Sequence, residues 1–267
     1  MSKRLDVFLV EKSLVKSRAK AKELIQNGCV LVDGVVIKKP AESVCDGAKV
    51  TVSDDTGYVG RGALKLKGAF ESFDLNVTGK CCADLGASTG GFTQVLLMQG
   101  AKKVYAIDVG HGQLAQELVD DSRVINCEGV NVRDISPEFF DEPIEFICGD
   151  LSFISLRLVI PAVKDCLADS GDMVMLIKPQ FEAGKQSLSK KGIVRDKKDH
   201  VRVLTELVSF FKDMELAVCG LAPSAITGGD GNIEYLVHLK KADGQKSMAY
   251  DIKAFVNSAF ENASGKA

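Results

Sequence analysis

The spacing of apolar positions along the chain changes character near residue 60. In SRAKAKELIQN, Ala19, Ala21, Leu24 and Ile25 recur at helical intervals while Arg18, Lys20 and Lys22 fill other positions, predicting an amphipathic helix over 17–27. Ser17 is placed to cap its start and Gly28 to stop it. Two Val- and Ile-rich runs follow, CVLVDGVVIKKP and AKVTV, and the Asp33-Gly34 pair in the first is a strong hairpin signal. The first fifty residues thus predict a small α+β module, and SDDTGYVGRG after it reads as a linker.

From Ala63 onward strands alternate with helices. Strands are expected near 80–84, 103–107, 123–126, 144–149, 172–178, 215–221 and 233–239, and helices near 63–74, from about 91, and near 155–168 and 197–212. Several strands are almost wholly apolar, as strands covered on both faces must be, so the fold class is α/β with a doubly wound, mostly parallel seven-stranded sheet. The loop APSAITGGDGN is too short for a crossover helix and implies antiparallel pairing of the last two strands. The expected boundaries are 1–58 for the head with its linker, 59–243 for the α/β domain, and 244–267 for a polar tail that could form a helix.

Composition adds a charge asymmetry. Residues 1–50 hold ten Lys/Arg against six Asp/Glu, leaving 24 against 30 in the rest of a chain whose formal charge is −2. A basic head on a mildly acidic protein suggests a module that meets phosphate. Eight cysteines are scattered without a CxxC pair, so buried reduced thiols are expected, with neither a disulfide framework nor a metal site. The opening MSKRLDVFLVEK lacks the apolar stretch of a signal peptide and no run is long enough to cross a bilayer; a cytoplasmic location and no membrane partner are expected.

Candidate chemistry begins at CCADLGASTGGFT, followed by an apolar strand ending in Asp108. A strand, a glycine-bearing turn, a helix and a second strand closed by a carboxylate is the arrangement that binds the adenosine of a nucleotide-like cofactor. Ser88 replaces the middle glycine of a dinucleotide fingerprint, and Asp84 stands just before the first. A carboxylate is repelled by a pyrophosphate but attracted to the amino end of a sulfonium amino acid, which favours S-adenosylmethionine. Gly86, Ser88, Gly90, Gly91 and Phe92 form the turn around its methionine end, Asp108 is placed for the ribose, and Asn131 for adenine. Asp150 and Lys178 close two further strands, so one crevice at the carboxyl ends of the strands collects them beside the cofactor.

Taken together, RLDVFLVEK, SRAKAKELIQNGCVLVDG, GRGALKL, ADLGASTGGFT, AIDVGHGQL, DLSFISL, LIKPQFEAGK, KGIVRD and GNIEYL closely resemble the TlyA family of hemolysin-type rRNA methyltransferases, over about residues 3–240. The resemblance implies an S4-like RNA-binding domain joined to an FtsJ-like (RrmJ-like) class I methyltransferase domain, acting on ribosomal RNA or ribosomal subunits. It further implies a catalytic tetrad for a ribose 2′-hydroxyl, of cytidine in the family: Lys65 from GALKL, Asp150 from DLSFISL, Lys178 from LIKPQFE and Glu234 from GNIEYL. Lys67 is a near neighbour that could be mistaken for Lys65. Lys178 would meet the attacking oxygen, as base or as stabilising cation, with Asp150 orienting it and Lys65 and Glu234 completing the network. Arg4, Lys16, Arg18, Lys20 and Lys22 would contact RNA phosphates. His111 is expected to pack or cap behind the site. The chain has no tryptophan, whereas family members often carry one in the linker. Alternatives are methylation of a base nitrogen, for which the usual Asn/Asp-Pro-Pro-aromatic run is replaced by Asp150-Leu151-Ser152-Phe153, a membrane-active hemolysin, and an RNA-binding protein without methyl transfer.

Overall fold

The computed structural model describes residues 2–12, 14–15, 17–26, 29–52, 58–228, 231–242 and 247–264. The chain divides into two compact units, residues 1–58 and 59–267.

In the first unit, β1 (Ser2–Arg4) leads into α1 (Leu5–Glu11), followed by α2 (Arg18–Gln26), β2 (Val30–Val32), β3 (Val35–Val36), β4 (Ser43–Cys45) and β5 (Val50–Val52). β3, β2 and β5 form one antiparallel sheet and β1 pairs with β4. The Asp33-Gly34 turn takes positive φ at both residues, 51° and 83°, as a tight two-residue hairpin requires. Ser17 Oγ accepts from Lys20 N at 3.2 Å and caps α2. Ala21, Leu24 and Ile25 are buried against Leu5, Phe8 and Leu9, but Ala19, expected on the same face, is exposed. Gly28, expected to stop the helix, lies outside the described residues, as does the first half of the expected linker, residues 53–57.

Asp6 is the electrostatic centre of this unit. It is fully buried, and accepts from Arg4 Nε at 2.9 Å and from Arg18 Nη2 at 3.0 Å. These guanidiniums, Arg4 first, overcome the cost of burial and hold its carboxyl well below the usual range. Asp6 thereby ties together Arg4, just before α1, and Arg18, the first residue of α2, two of the expected phosphate ligands.

The second unit runs α3 (Ala63–Ser72), β6 (Cys81–Leu85), α4 (Gly91–Met98), β7 (Lys103–Asp108), α5 (Gln116–Val119), β8 (Val124–Glu128), β9 (Ile144–Gly149), α6 (Leu156–Val163), β10 (Leu167–Ile177), α7 (Pro179–Glu182), α8 (Lys197–Asp213), β11 (Leu216–Pro223), β12 (Tyr235–Lys241) and α9 (Ile252–Ser264). Its seven strands lie in the order β11-β12-β10-β9-β6-β7-β8, parallel except for β12, which runs antiparallel between β10 and β11. The α/β class expected from the apolar runs is therefore present.

Two differences from the expected elements have physical causes. The helix expected over 155–168 ends at Val163 and tightens into a 3-10 turn at Lys164–Cys166. Pro161 removes one amide from its ladder, and Leu167 is drawn into β10, where it pairs with Ile144 and is buried. The tail forms a helix, α9, as its sequence allows, but it is not a free polar tail: Val256 and Ala259 are buried in the core shared with α8. The eight cysteines are free, four of them buried. Among the described residues no helix is long and apolar enough to cross a membrane, and no group of three or more metal-ligating side chains is assembled.

His200 of α8 is fully buried, with Nδ1 2.8 Å from the Tyr235 hydroxyl and Nε2 3.0 Å from the Val194 carbonyl. Burial lowers its pKa from the ordinary 6.5. Below that value the unfolded chain binds a proton that the native state refuses, so stability falls as pH drops through this window. Urea titrations between pH 7.5 and 5 should show wild type losing stability relative to His200→Gln, at up to about 1.4 kcal/mol per pH unit. A pH-independent difference between the two proteins would show that His200 protonates freely in the native state.

Candidate active site

The parallel strands β6, β7, β8 and β9 end on one edge of the sheet, and each ends at or beside an acid: Asp84, Asp108, Glu128 and Asp150. The first three organise backbone. Asp84 is fully buried, with Oδ2 accepting from Thr93 N at 2.9 Å and Thr93 Oγ1 at 2.7 Å. It thus ties the end of β6 to the first turn of α4, while Oδ1 is buried with no partner. Burial pushes its carboxyl up to about 7 against the Thr93 hydrogen bonds. Asp108 accepts from Ser88 N at 2.8 Å and Gly110 N at 2.7 Å. Glu128 accepts from Gln113, Gly112 and Leu114 amides at 2.6, 2.9 and 3.1 Å, which pull it down to about 2 and hold the loop after β7.

A cavity of about 460 Å³ opens at this edge. Among the expected cofactor residues, Gly86, Ser88, Asp108, Asn131 and Asp150 line it. Asp84, Gly90, Gly91 and Phe92 are not in its lining; they shape the turn from behind. Gly90 opens α4 with φ 93°, where a side chain would be strained and its Cβ would meet Leu118 at 2.2 Å. A Cβ on Gly91 would lie 2.9 Å from Ala63 N, so this glycine lets the start of α3 approach α4. Phe92 is buried.

That close approach delivers Lys65. Its Nζ lies 2.9 Å from Asp150 Oδ2 and 2.8 Å from Glu234 Oε2. On the other side of Asp150, Lys178 Nζ lies 2.7 Å from Oδ1, an ion pair whose angles are poor for a hydrogen bond, and donates to Ser152 Oγ at 2.9 Å. The four side chains form one alternating series, Lys178, Asp150, Lys65, Glu234, with Lys65, Lys178 and Glu234 buried and Asp150 nearly so. Lys67 instead points outward and pairs with Glu71 at 3.8 Å.

Burial opposes charge on Lys65, but the carboxylates of Asp150 and Glu234 outweigh it and raise its pKa. Burial likewise opposes ionisation of Asp150, and Lys65 and Lys178 outweigh it in turn, holding that carboxyl below its ordinary value. Lys65 is thus a locked cation held between two anions. Lys178 has one carboxylate and one hydroxyl as partners, and its Nζ stands 5.9 Å from the centre of the Phe181 ring.

Several members of this site were not singled out from the sequence. Ser152 receives Lys178, Gln180 donates to Glu234 Oε1 at 3.1 Å, and Phe153 stands 91% exposed with φ 62° and its ring 5.1 Å from that of Phe181. Glu182 accepts from Leu156 N and Ser155 Oγ and joins α7 to α6. Each lies within two to four residues of Asp150 or Lys178, so the motifs DLSFISL and LIKPQFE held the signal without distinguishing roles. His111 is exposed, and its ring covers Gly129, where a Cβ would come within 2.4 Å.

The strand order and the buried charge series define an α/β methyltransferase. Residues 58–241 match the FtsJ-like methyltransferase family and residues 3–50 the S4 domain; the chain belongs to the FtsJ-like methyltransferase family. It is 40% identical to the 16S/23S rRNA (cytidine-2'-O)-methyltransferase TlyA of Mycobacterium tuberculosis, over 96% of each chain. It is 42% identical to Hemolysin A of Brachyspira hyodysenteriae, over 88% of this chain and 98% of that one. A solved structure from Streptococcus thermophilus, described as a candidate hemolysin, superposes with a TM-score of 0.81 at 40% identity, covering 99% of this chain and 98% of the other.

Removing the Lys65 amine would leave Asp150 short of one partner and Glu234 without its cation. Lys65→Met should therefore lower unfolding free energy by about 3–5 kcal/mol in urea melts, and adding Glu234→Met should restore much of the loss because Asp150 keeps Lys178. Equal and additive losses in the two single variants would show that the charges do not act as one network.

Proposed function

We propose that this protein transfers the methyl group of S-adenosylmethionine to a ribose 2′-hydroxyl of ribosomal RNA, at cytidine. The observation that carries the proposal is the unbroken series of two ammoniums and two carboxylates beside the cavity at the strand ends. The name of the Mycobacterium tuberculosis relative supports the same substrate.

The cavity suits the cofactor. Its volume falls within the roughly 300–1,000 Å³ of small-molecule sites, and the position of a Gly86 Cβ, 3.0 Å from Leu151 and 3.3 Å from the Asp150 carbonyl, shows a wall that any side chain would narrow. The unpartnered Oδ1 of buried Asp84 is an acceptor set behind that wall. Gly86, Ser88 and Asp150 would hold the amino-acid end, Asp108 the ribose and Asn131 the adenine. Bound there, S-adenosylmethionine supplies a methyl group already activated by its sulfonium charge.

The protein's own task is to position a weakly acidic hydroxyl and to stabilise the charge that develops on its oxygen. Lys178, fixed by Asp150 and Ser152, would present its remaining donor to that oxygen; as the oxygen takes the methyl carbon and the carbon–sulfur bond breaks, the hydroxyl proton would pass to water and S-adenosylhomocysteine would leave. Asp150 orients Lys178. Lys65 keeps Asp150 ionised, and Glu234 balances Lys65 with support from Gln180. The exposed face of Phe153, backed by Phe181, offers a stacking platform for the target base outside a helix. In the S4 unit Arg4, Arg18, Lys20 and Lys22 would contact phosphates; Lys16, assigned the same role from sequence, lies outside the described residues.

Labelled methyl transfer to separated small and large ribosomal subunits, followed by digestion to nucleosides and mass analysis, tests the proposal. The label should appear on ribose, and Lys178→Ala should lose roughly 100- to 10,000-fold in rate while retaining cofactor binding. Label on a base, or an unimpaired Lys178→Ala, would overturn it.

A further inference from the structure

Residues 185–198, KQSLSKKGIVRDKK, contain six Lys/Arg against one Asp, within a region of the chain that is otherwise acidic. Elsewhere in this unit basic side chains are mostly neutralised locally: Lys67, Lys102, Lys103, Arg123, Arg157 and Lys241 each sit in an ion pair. Lys190, Lys191, Arg195 and Lys198 are exposed, and among the described residues no carboxylate lies within ion-pair distance of them. Lys197 and Lys198 also occupy the first turn of α8, the end of a helix where cations are electrostatically unfavourable. Folding alone gives no reason to assemble these charges.

The segment is built as a firm turn. Ser189 N donates to the Ile193 carbonyl at 3.0 Å, Gly192 N to the Ser189 carbonyl at 2.9 Å with φ 72° at Gly192, and Leu188 bridges to Val194. Val194 is buried, and its carbonyl meets His200. Asn232, itself 2% exposed, clamps the turn on both sides: its Oδ1 accepts from Val194 N at 3.1 Å and its Nδ2 donates to the Gly192 carbonyl at 3.2 Å. Two residues beyond Asn232 stands Glu234, bound to Lys65. One short stretch of backbone therefore anchors both the charged turn and one end of the buried charge series.

We propose that the turn carrying Lys190, Lys191 and Arg195 is a phosphate-docking strip through which the methyltransferase unit itself grips the backbone of its RNA substrate, held at a set distance from the reacting centre by Asn232. The proposal rests on the RNA reading given above. Cations on a rigid turn fix the register of a nucleic-acid backbone without reading its sequence. They contribute to affinity by releasing counterions from phosphate, so their loss changes the salt dependence of binding as well as its strength.

The test uses the full chain carrying Lys190→Gln, Lys191→Gln and Arg195→Gln together, surface changes that leave Val194, Asn232 and the buried charges intact. Binding of end-labelled, deproteinised ribosomal RNA fragments is followed by anisotropy between 50 and 200 mM salt. The slope of log K against log salt should become shallower by roughly 2 to 3. With ribosomal subunits as substrate, KM should rise by roughly tenfold or more while kcat at saturation and cofactor binding stay at wild-type values. An unchanged slope with an unchanged KM would overturn the docking strip. Loss of binding to phosphatidylglycerol vesicles with RNA binding intact would overturn it too, assigning the turn to anionic lipid. Should wild type bind RNA with the steeper slope yet methylate no subunit, the strip would stand and the enzymatic proposal would fall.

Discussion

The structure of the methyltransferase unit depends on a sequence of buried charges, Lys178, Asp150, Lys65 and Glu234, in which each inner member touches two of opposite sign. Taking any one of these groups out of water costs several kcal/mol, and an isolated one would neutralise instead. Their alternation lets each ion serve as the solvent of the next. The four side chains come from α3, the loop after β9, the end of β10 and the approach to β12, so the charges also fix where those elements end relative to one another. A cluster of this kind is a weak source of net stability, because well-packed apolar residues could fill the same space. What it provides is a set of positioned charges in a low-dielectric setting beside a cavity, which is the condition for electrostatic catalysis.

Topology makes that convergence possible. In an open parallel sheet, only strand ends and the loops after them reach the ligand edge. β12 runs the other way, so its beginning lies where its neighbour β10 ends, with Tyr235 in register with Ile177. Glu234, immediately before β12, therefore arrives at the same edge as Lys178, immediately after β10. Small residues complete the arrangement: Gly91 allows α3 to pack closely enough for a lysine stem to span from helix to carboxylates. The glycines of the turn do the same for the cavity side: a side chain on Gly90 would run into Leu118, and one on Gly86 into Leu151.

Charge is partitioned over the chain in a way that agrees with this division of labour. Negative groups at the strand ends mostly hold backbone amides or buried amines, and so are neutralised within the fold. Lys190, Lys191, Arg195 and Lys198, in and just after the turn before α8, are exposed, and among the described residues no carboxylate lies within ion-pair distance of them. In the S4 unit, the buried carboxylate of Asp6 orients Arg4 and Arg18 while leaving both half exposed. In both units the buried charges are matched by partners of opposite sign, while other cations are left open to solvent.

Much of this was legible from the chain alone. Uninterrupted apolar runs announce strands covered on both faces, Asp33-Gly34 announces a hairpin because few residue pairs accept positive φ twice, and the motifs around Lys65, Asp150, Lys178 and Glu234 resemble those of a single family. Local pattern could not say that Asp84 turns toward Thr93 instead of the cavity lining, that Ala19 faces outward, or that α9 closes over the core, since each depends on which surface a distant element presents. Nor could it say which neighbours of Lys178 would hold it, or that Asn232 would clamp a basic turn 40 residues earlier in the chain. Sequence determines the periodicity and chemistry of each segment, because those follow from side chains a few residues apart. Tertiary structure alone decided the partners of the buried charges, because an ion in a low-dielectric interior is set by what lies within a few ångströms of it in space.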